Sequence, residues 1–115
     1  MKNEPAPPAT LTAMRTEKDN IADILRAVID PELLVNIIDL GLVYDIRCHD
    51  PLTRIDIDMT LTSPGCPLGD VIVEDMEYRL FVKYPDTEVN IRLVWDPPWT
   101  PERLTETGKA ALGRT

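Results

Sequence analysis

Apolar positions along this chain recur first at helical and then at strand spacing, and each switch marks an element. Ile21, Ile24, Leu25 and Val28 repeat as one face of a helix, with Thr16 at the N-cap and Asp19 at the capping-box position. Pro31 disfavours helical geometry at Asp30, so the spacing predicts a helix that stops near Ile29. A connecting stretch over residues 32–41 follows, and its segment Asn36-Ile37-Ile38-Asp39-Leu40-Gly41 reads as a structured loop closed by a tight glycine turn. From Leu42 to Cys48 the apolar residues Leu42, Tyr44, Ile46 and Cys48 alternate with Val43, Asp45 and Arg47, the period of a strand. That phase places Cys48 with the core as a small buried hydrophobe. After the turn residues His49 to Thr53, a second strand is predicted from Arg54 to Leu61. It carries Ile55, Ile57, Met59 and Leu61 on one face and Arg54, Asp56, Asp58 and Thr60 on the other. Asp56 and Asp58 read as polar residues of a solvated sheet face rather than as an acid/base or metal pair.

Leu68, Ile72, Met76 and Leu80 mark a second helix with Glu74, Asp75 and Glu77 on its wet side. Val89, Ile91, Leu93 and Trp95 alternate as a third strand, and Pro101 to Ala111, capped by Thr100, predicts a short last helix. The order α-β-β-α-β-α predicts an α/β chain of the α+β kind: a two-layer sandwich, with a small mixed sheet and helices on one face. Residues 1–13, rich in proline and small side chains, read as a flexible leader, and residues 14–115 as a single domain.

Topology sorts the candidate sites. With the second strand running upward to Leu61, the hairpin brings Asp39 and Gly41 to the same end, and a crossover through the second helix makes the third strand parallel to the second. The segment Trp95-Asp96-Pro97-Pro98-Trp99 then emerges there too, while His49 is left at the opposite end. An eight-residue strand spans roughly 26 Å, which rules out a dyad of His49 with Cys66 within one chain and a metal site of Cys48, His49 and Cys66. His49 reads as a solvated turn residue.

Composition narrows the chemistry. The chain of 115 residues has a formal net charge of -8 and no run of lysine or arginine, so nucleic acid is not an expected partner. Its apolar stretches are too short to span a membrane. Two cysteines in an acidic chain without a signal-peptide pattern point to a reducing cytoplasm. One of them, Cys66, stands in Thr62-Ser63-Pro64-Gly65-Cys66-Pro67, where strand hands over to helix. With Pro67 as the first helical residue, Cys66 is predicted to be the N-cap, its sulfur facing the N–H groups of Leu68 and Gly69, a setting that favours thiolate.

The motifs Asp30-Pro31-Glu32, Asn36-Ile37-Ile38-Asp39-Leu40-Gly41-Leu42-Val43-Tyr44, Met59-Thr60-Leu61-Thr62-Ser63-Pro64-Gly65-Cys66-Pro67 and Asp96-Pro97-Pro98-Trp99, taken in order, resemble the SufT/PaaD-like family. That family includes the small subunit of the eukaryotic cytosolic iron-sulfur targeting complex. The resemblance covers about residues 17 to 113 and implies a two-layer iron-sulfur-assembly-type domain that helps to mature iron-sulfur proteins. The family's reactive cysteine falls on Cys66 and its acidic loop positions on Asp30, Glu32 and Asp39. Leu34 stands where many relatives have proline or glycine, which leaves the shape of that loop open. The chain ends at Thr115 without the cysteine-rich extension usual in PaaD proteins, which favours the stand-alone SufT-like reading.

The expected role is a maturation factor and not an enzyme. Cys66 would handle a labile iron-sulfur cluster, supported by Asp39 and by Thr62, Ser63 and Gly65. A cluster normally takes four protein ligands, so two Cys66 thiolates across a homodimer, completed by small thiols or client cysteines, would hold one transiently. The expected partners are an assembly scaffold and apo-client proteins. In the adaptor version of this role no cluster is held, and the segment from Trp95 to Trp99 is the contact surface, with Trp99 as its anchor; the bland reading places Trp95 in the core, which its position favours, and Trp99 over the last helix. The alternatives are an accessory factor for a multicomponent aromatic-ring oxygenase, zinc held by Cys66 with carboxylates, and a thiol enzyme with Cys66 as nucleophile, which would lack an accompanying general base.

Overall fold

A computed structural model describes residues 16–49, 51–63 and 68–113. The capping box forms as predicted: Asp19 N–H donates to the Thr16 hydroxyl and Thr16 N–H to the Asp19 carboxylate, both at 3.1 Å, and helix α1 runs Glu17–Leu25. It ends short of Ile29. Ala27 and Val28 N–H turn to the carbonyls three residues back, and Ile29 pairs with Asn36 in an isolated antiparallel bridge. A short hairpin therefore takes the residues that periodicity alone assigns to the helix. Asp30, buried at its tip, accepts from the N–H groups of Glu32 and Leu33 at 2.8 and 3.1 Å. This Asx turn holds the Asp-Pro-Glu motif in place. Leu34, exposed, adopts a φ of 60°, the left-handed conformation that glycine takes without strain.

Strands β1 (Val43–Cys48) and β2 (Arg54–Met59) form the predicted antiparallel hairpin, and β3 (Glu88–Leu93) lies parallel to β2 on its other side. The described sheet thus has the order β1-β2-β3. The pairing of β1 with β2 shifts between Val43 and Asp45, where Val43 faces Met59 and Asp45 faces Asp58. Tyr44 is the extra residue of this bulge. It leaves the core face to which simple alternation assigns it, whereas Ile46 and Cys48 pack against the core as expected.

Helix α2 spans Gly69–Lys83 and buries Gly69, Ile72, Met76 and Leu80. Its N-cap is Leu68, without a side-chain cap bond, so the helix opens later than the predicted Pro67, and Cys66, the expected cap, lies outside the described residues. Its outer side is less polar than predicted, with Val71, Tyr78, Phe81 and Val82 exposed. Ile21, Leu25 and Val28 meet Ile55, Ile57 and Met59 of β2 and the buried face of α2 in one core. The predicted last helix is split. Pro101–Arg103 forms a 3-10 turn, Leu104 breaks it with extended geometry, and α3 (Glu106–Ala111) starts afresh from Thr105.

The sheet face away from the helices carries an ion-pair lattice. Asp58 accepts from both Arg47 and Arg92, and Asp56 from Arg54 and Asn90, with His49 at 3.0 Å. These partners, foremost Arg47 for Asp58 and His49 for Asp56, hold both carboxyls at about 2. A depressed folded pKa stabilises the fold fully above the ordinary carboxylate range. That contribution is lost as pH falls from about 4 toward about 2. Asp58→Asn is therefore expected to lower the thermal midpoint by a few degrees at pH 7 and to have a much smaller effect at about pH 2, where the folded carboxyl itself takes up its proton, as read by circular-dichroism melts. An equal loss at both pH values would contradict the ion-pair explanation.

Candidate functional site

Three segments meet at one end of the sheet because of how the strands end. Val43, Met59 and Leu93 are register neighbours, so the chain just before β1, just after β2 and just after β3 leaves the sheet side by side. Thr60 N–H donates to the Leu42 carbonyl at 2.8 Å and Val94 N–H to the Met59 carbonyl at 2.8 Å, which carries the pairing past the strands. His49 lies at the other end, where its N–H bonds the Arg54 carbonyl. The predicted convergence and the separation of His49 both hold for the described residues.

Asp39 is the centre of this junction. Its carboxylate, buried, accepts from the Asn36 side-chain amide at 2.7 Å and from the Thr105 hydroxyl at 2.8 Å. Its backbone N–H donates to the Asn36 side chain at 2.9 Å, and its carbonyl accepts from Thr105 N–H at 2.9 Å. The Thr105 hydroxyl in turn accepts from Gly108 N–H at 3.0 Å and so caps α3. A hydroxyl that donates once and accepts once couples the acidic loop to the last helix. Trp99 adds a second tie: it packs against the core, and its indole N–H donates to the Leu40 carbonyl at 2.6 Å.

Two glycines permit these approaches. Gly41 has a φ of 76°, and a Cβ there would run into the Arg103 backbone carbonyl. A Cβ on Gly108 would lie 2.5 Å from the Asp39 carbonyl oxygen.

Tyr44, turned outward by the bulge, donates its hydroxyl to the Pro97 carbonyl at 2.8 Å, and the Arg103 guanidinium carbon lies over its ring, 4.3 Å from the centre. Together with Gly41, Val43 and Glu102 they line an open groove of about 610 Å³. Alternation alone does not reveal Tyr44 or Arg103 as groove residues; the bulge that exposes Tyr44 leaves no mark in the hydrophobic pattern.

The predicted site residues are not all gathered. Asp39 and Trp99 are joined through Leu40, whereas Asp30 is occupied in its own turn and Glu32 is exposed beside it. Thr62 is half-buried and Ser63 exposed just beyond the Thr60–Leu42 link. Gly65 and Cys66 lie outside the described residues. Trp95, expected in the core, is 44% exposed, and the half-buried tryptophan is Trp99. Cys48 packs against the core, and burial pushes its thiol above the ordinary value, so it does not suit a cluster or a metal. Among the described residues no three His, Cys, Asp or Glu side chains gather to hold a metal ion. No helix among them is long and apolar enough to cross a membrane.

The arrangement is that of a small α+β domain whose acidic loop, bulged strand and C-terminal segment lock together at one end of a mixed sheet. A family model described as iron-sulfur cluster assembly protein matches residues 18–92. The chain is 48% identical over 99 residues to the Fe-S protein maturation auxiliary factor YitW of Bacillus subtilis, covering 84% of this chain and 93% of that one. It is 47% identical over 88 residues to the Fe-S protein maturation auxiliary factor SufT of Staphylococcus aureus, covering 75% and 97%. Among solved structures, a domain of unknown function from Bacillus anthracis superposes with a TM-score of 0.79 at 42% identity, covering 88% of this chain and 97% of that one. The chain therefore belongs to the iron-sulfur cluster assembly protein family.

Gly108→Ala tests the close approach. It is expected to destabilise the fold by about 1–3 kcal/mol through overpacking against the Asp39 carbonyl. Urea denaturation checks this, and a change within error would mean that α3 does not pack as closely as described.

Proposed function

We propose that this chain is an auxiliary factor in the maturation of iron-sulfur proteins and that Cys66 is the residue through which it engages a cluster or a client's metal site. The carrying observation is near-half identity, over almost the full length of each relative, to proteins named as maturation auxiliary factors. The loop that leads to Cys66 leaves the sheet beside the Asp39 junction, which supports a working end built from both.

In this reading the cluster is cargo. The described thiol, Cys48, is committed to packing, so Cys66 is the chain's own candidate ligand, and a second copy or a client supplies the remainder. Incomplete ligation by one chain favours transfer over storage. Thr62, Ser63 and Gly65 shape the loop around Cys66. Asp39 acts at a distance by fixing the loop junction, since its carboxylate oxygens are already hydrogen-bonded. Asp30 and Glu32 act through the shape of their turn. The partners are an assembly scaffold and apo-clients, the working form is a homodimer, the compartment is the cytoplasm, and the role is accessory rather than catalytic. In the adaptor variant Trp95, the more exposed tryptophan, offers the partner more surface than Trp99.

Anaerobic reconstitution with iron and sulfide, on wild type and Cys66→Ser, tests the carrier form. A cysteine-dependent chromophore approaching one cluster per dimer is expected, together with loss of client maturation in Cys66→Ser. A folded Cys66→Ser protein that matures clients normally would remove Cys66 from the mechanism.

A further inference from the structure

The groove beside Tyr44 has an electrostatic peculiarity. Arg26, Arg47, Arg54, Arg79 and Arg92 each pair with a carboxylate within 3.1 Å. Arg103 has no such partner among the described residues, in a chain of net charge -8 and with Glu102 as its sequence neighbour. Its contact is instead the face of the Tyr44 ring. A cation–π contact engages the guanidinium without using up its N–H donors, so the fork that takes a carboxylate in a bidentate manner is still to be filled. The platform is built rather than incidental. A strand bulge turns Tyr44 outward, the Pro97 carbonyl fixes its hydroxyl, and Gly41 lets the Arg103 backbone close in.

We propose that this groove binds an extended segment of a partner protein, with one acidic side chain seated on the Arg103 fork and its apolar neighbours along Val43 and Pro97. The open groove, at about 610 Å³, has room for several residues of chain beyond the carboxylate itself. Glu102 lines the same groove and disfavours a compact multiply charged anion such as phosphate, while tolerating one carboxylate flanked by apolar side chains. The proposal rests on the maturation-factor reading in that the segment belongs to a scaffold or client, but its chemistry requires neither Cys66 nor a cluster.

The probe is a fluorescein-labelled, end-blocked peptide of sequence Ser-Ala-Leu-Glu-Val-Ala-Ser, with its Glu-to-Gln counterpart as control, titrated into the metal-free protein at low salt. Wild type is expected to bind the Glu peptide about tenfold more tightly than the Gln peptide, the scale of one charge-assisted contact, and to lose affinity as salt rises. The amides of Gly41, Tyr44 and Arg103 should shift in the NMR spectrum. Arg103→Gln should abolish the preference for Glu. Arg103→Lys, which keeps the charge and loses the fork, should retain part of it. Arg54→Gln, an arginine on the open sheet face, should leave binding unchanged. Equal binding of both peptides by wild type, a preference that survives Arg103→Gln, shifts confined to other surfaces, or no binding would each overturn the proposal. Tighter binding of inorganic phosphate than of the Glu peptide would also overturn it. Client maturation by Cys66→Ser reports on the other reading alone, so the two fail separately.

Discussion

The buried carboxylate of Asp39 is the interaction on which the loop-bearing end of the sheet depends. A charge removed from water is tolerated only when its oxygens are hydrogen-bonded, and Asp39 meets that requirement from two directions: Asn36 in its own loop and Thr105 more than sixty residues later. The second bond is what makes it architectural. Through Thr105 it caps α3 and holds the C-terminal segment over the loop before β1, and the Trp99–Leu40 bond closes the same gap from the other side. Removing the carboxylate would leave the Thr105 hydroxyl and the Asn36 amide without their acceptor, at a cost of about 1–3 kcal/mol for each stranded group that stays buried.

The sheet divides the molecule into two regimes. On the helix side Ile55, Ile57 and Met59 are fully buried, and their stabilisation follows the area removed from water. On the other side Arg47, Arg54 and Arg92 interleave with Asp56 and Asp58 in half-exposed geometry, where each pair is worth little and the lattice as a whole protects an open sheet face. The groove beside Tyr44 lies where these regimes end. There the strand bulges, an aromatic ring is turned outward, and a guanidinium lies over that ring without a carboxylate partner among the described residues. Rigid strands thus fix the position of this end, and loop residues supply its exposed polar and aromatic groups.

Most of the fold was legible in the sequence because its signals are local. The Thr16–Asp19 capping box, the Ile55-Ile57-Met59 alternation and the Leu68-Ile72-Met76-Leu80 spacing each act over a few residues and survive in the structure. The parallel placement of β3, a consequence of connection geometry, followed from the same elements. The misreadings occur where distant contacts override local pattern. Ile29 pairs with Asn36 instead of extending α1, Tyr44 bulges toward Pro97, and Leu104 turns inward to the core and divides the last helix. Asp39 was singled out by its motif, yet its partner Thr105 was beyond reach, since no periodicity connects residues so far apart in the chain. The tryptophans were exchanged for a similar reason. Strand alternation carries Trp95 inward only if β3 continues, but it stops at Leu93.

The chain belongs to the iron-sulfur cluster assembly family, and in its fold the residues that follow β2, Thr60 to Ser63, leave the sheet beside a fixed set of neighbours at the Asp39 junction. The central claim is that Asp39 fixes those neighbours as one unit. The most direct measurement is amide hydrogen exchange on wild type and Asp39→Ala, followed residue by residue. The account predicts that Leu40–Leu42 and Trp99–Ala111 lose protection together while the ladder among β1, β2 and β3 keeps it. Loss confined to Thr105 and its immediate neighbours, with the Trp99 segment as protected as in wild type, would contradict it.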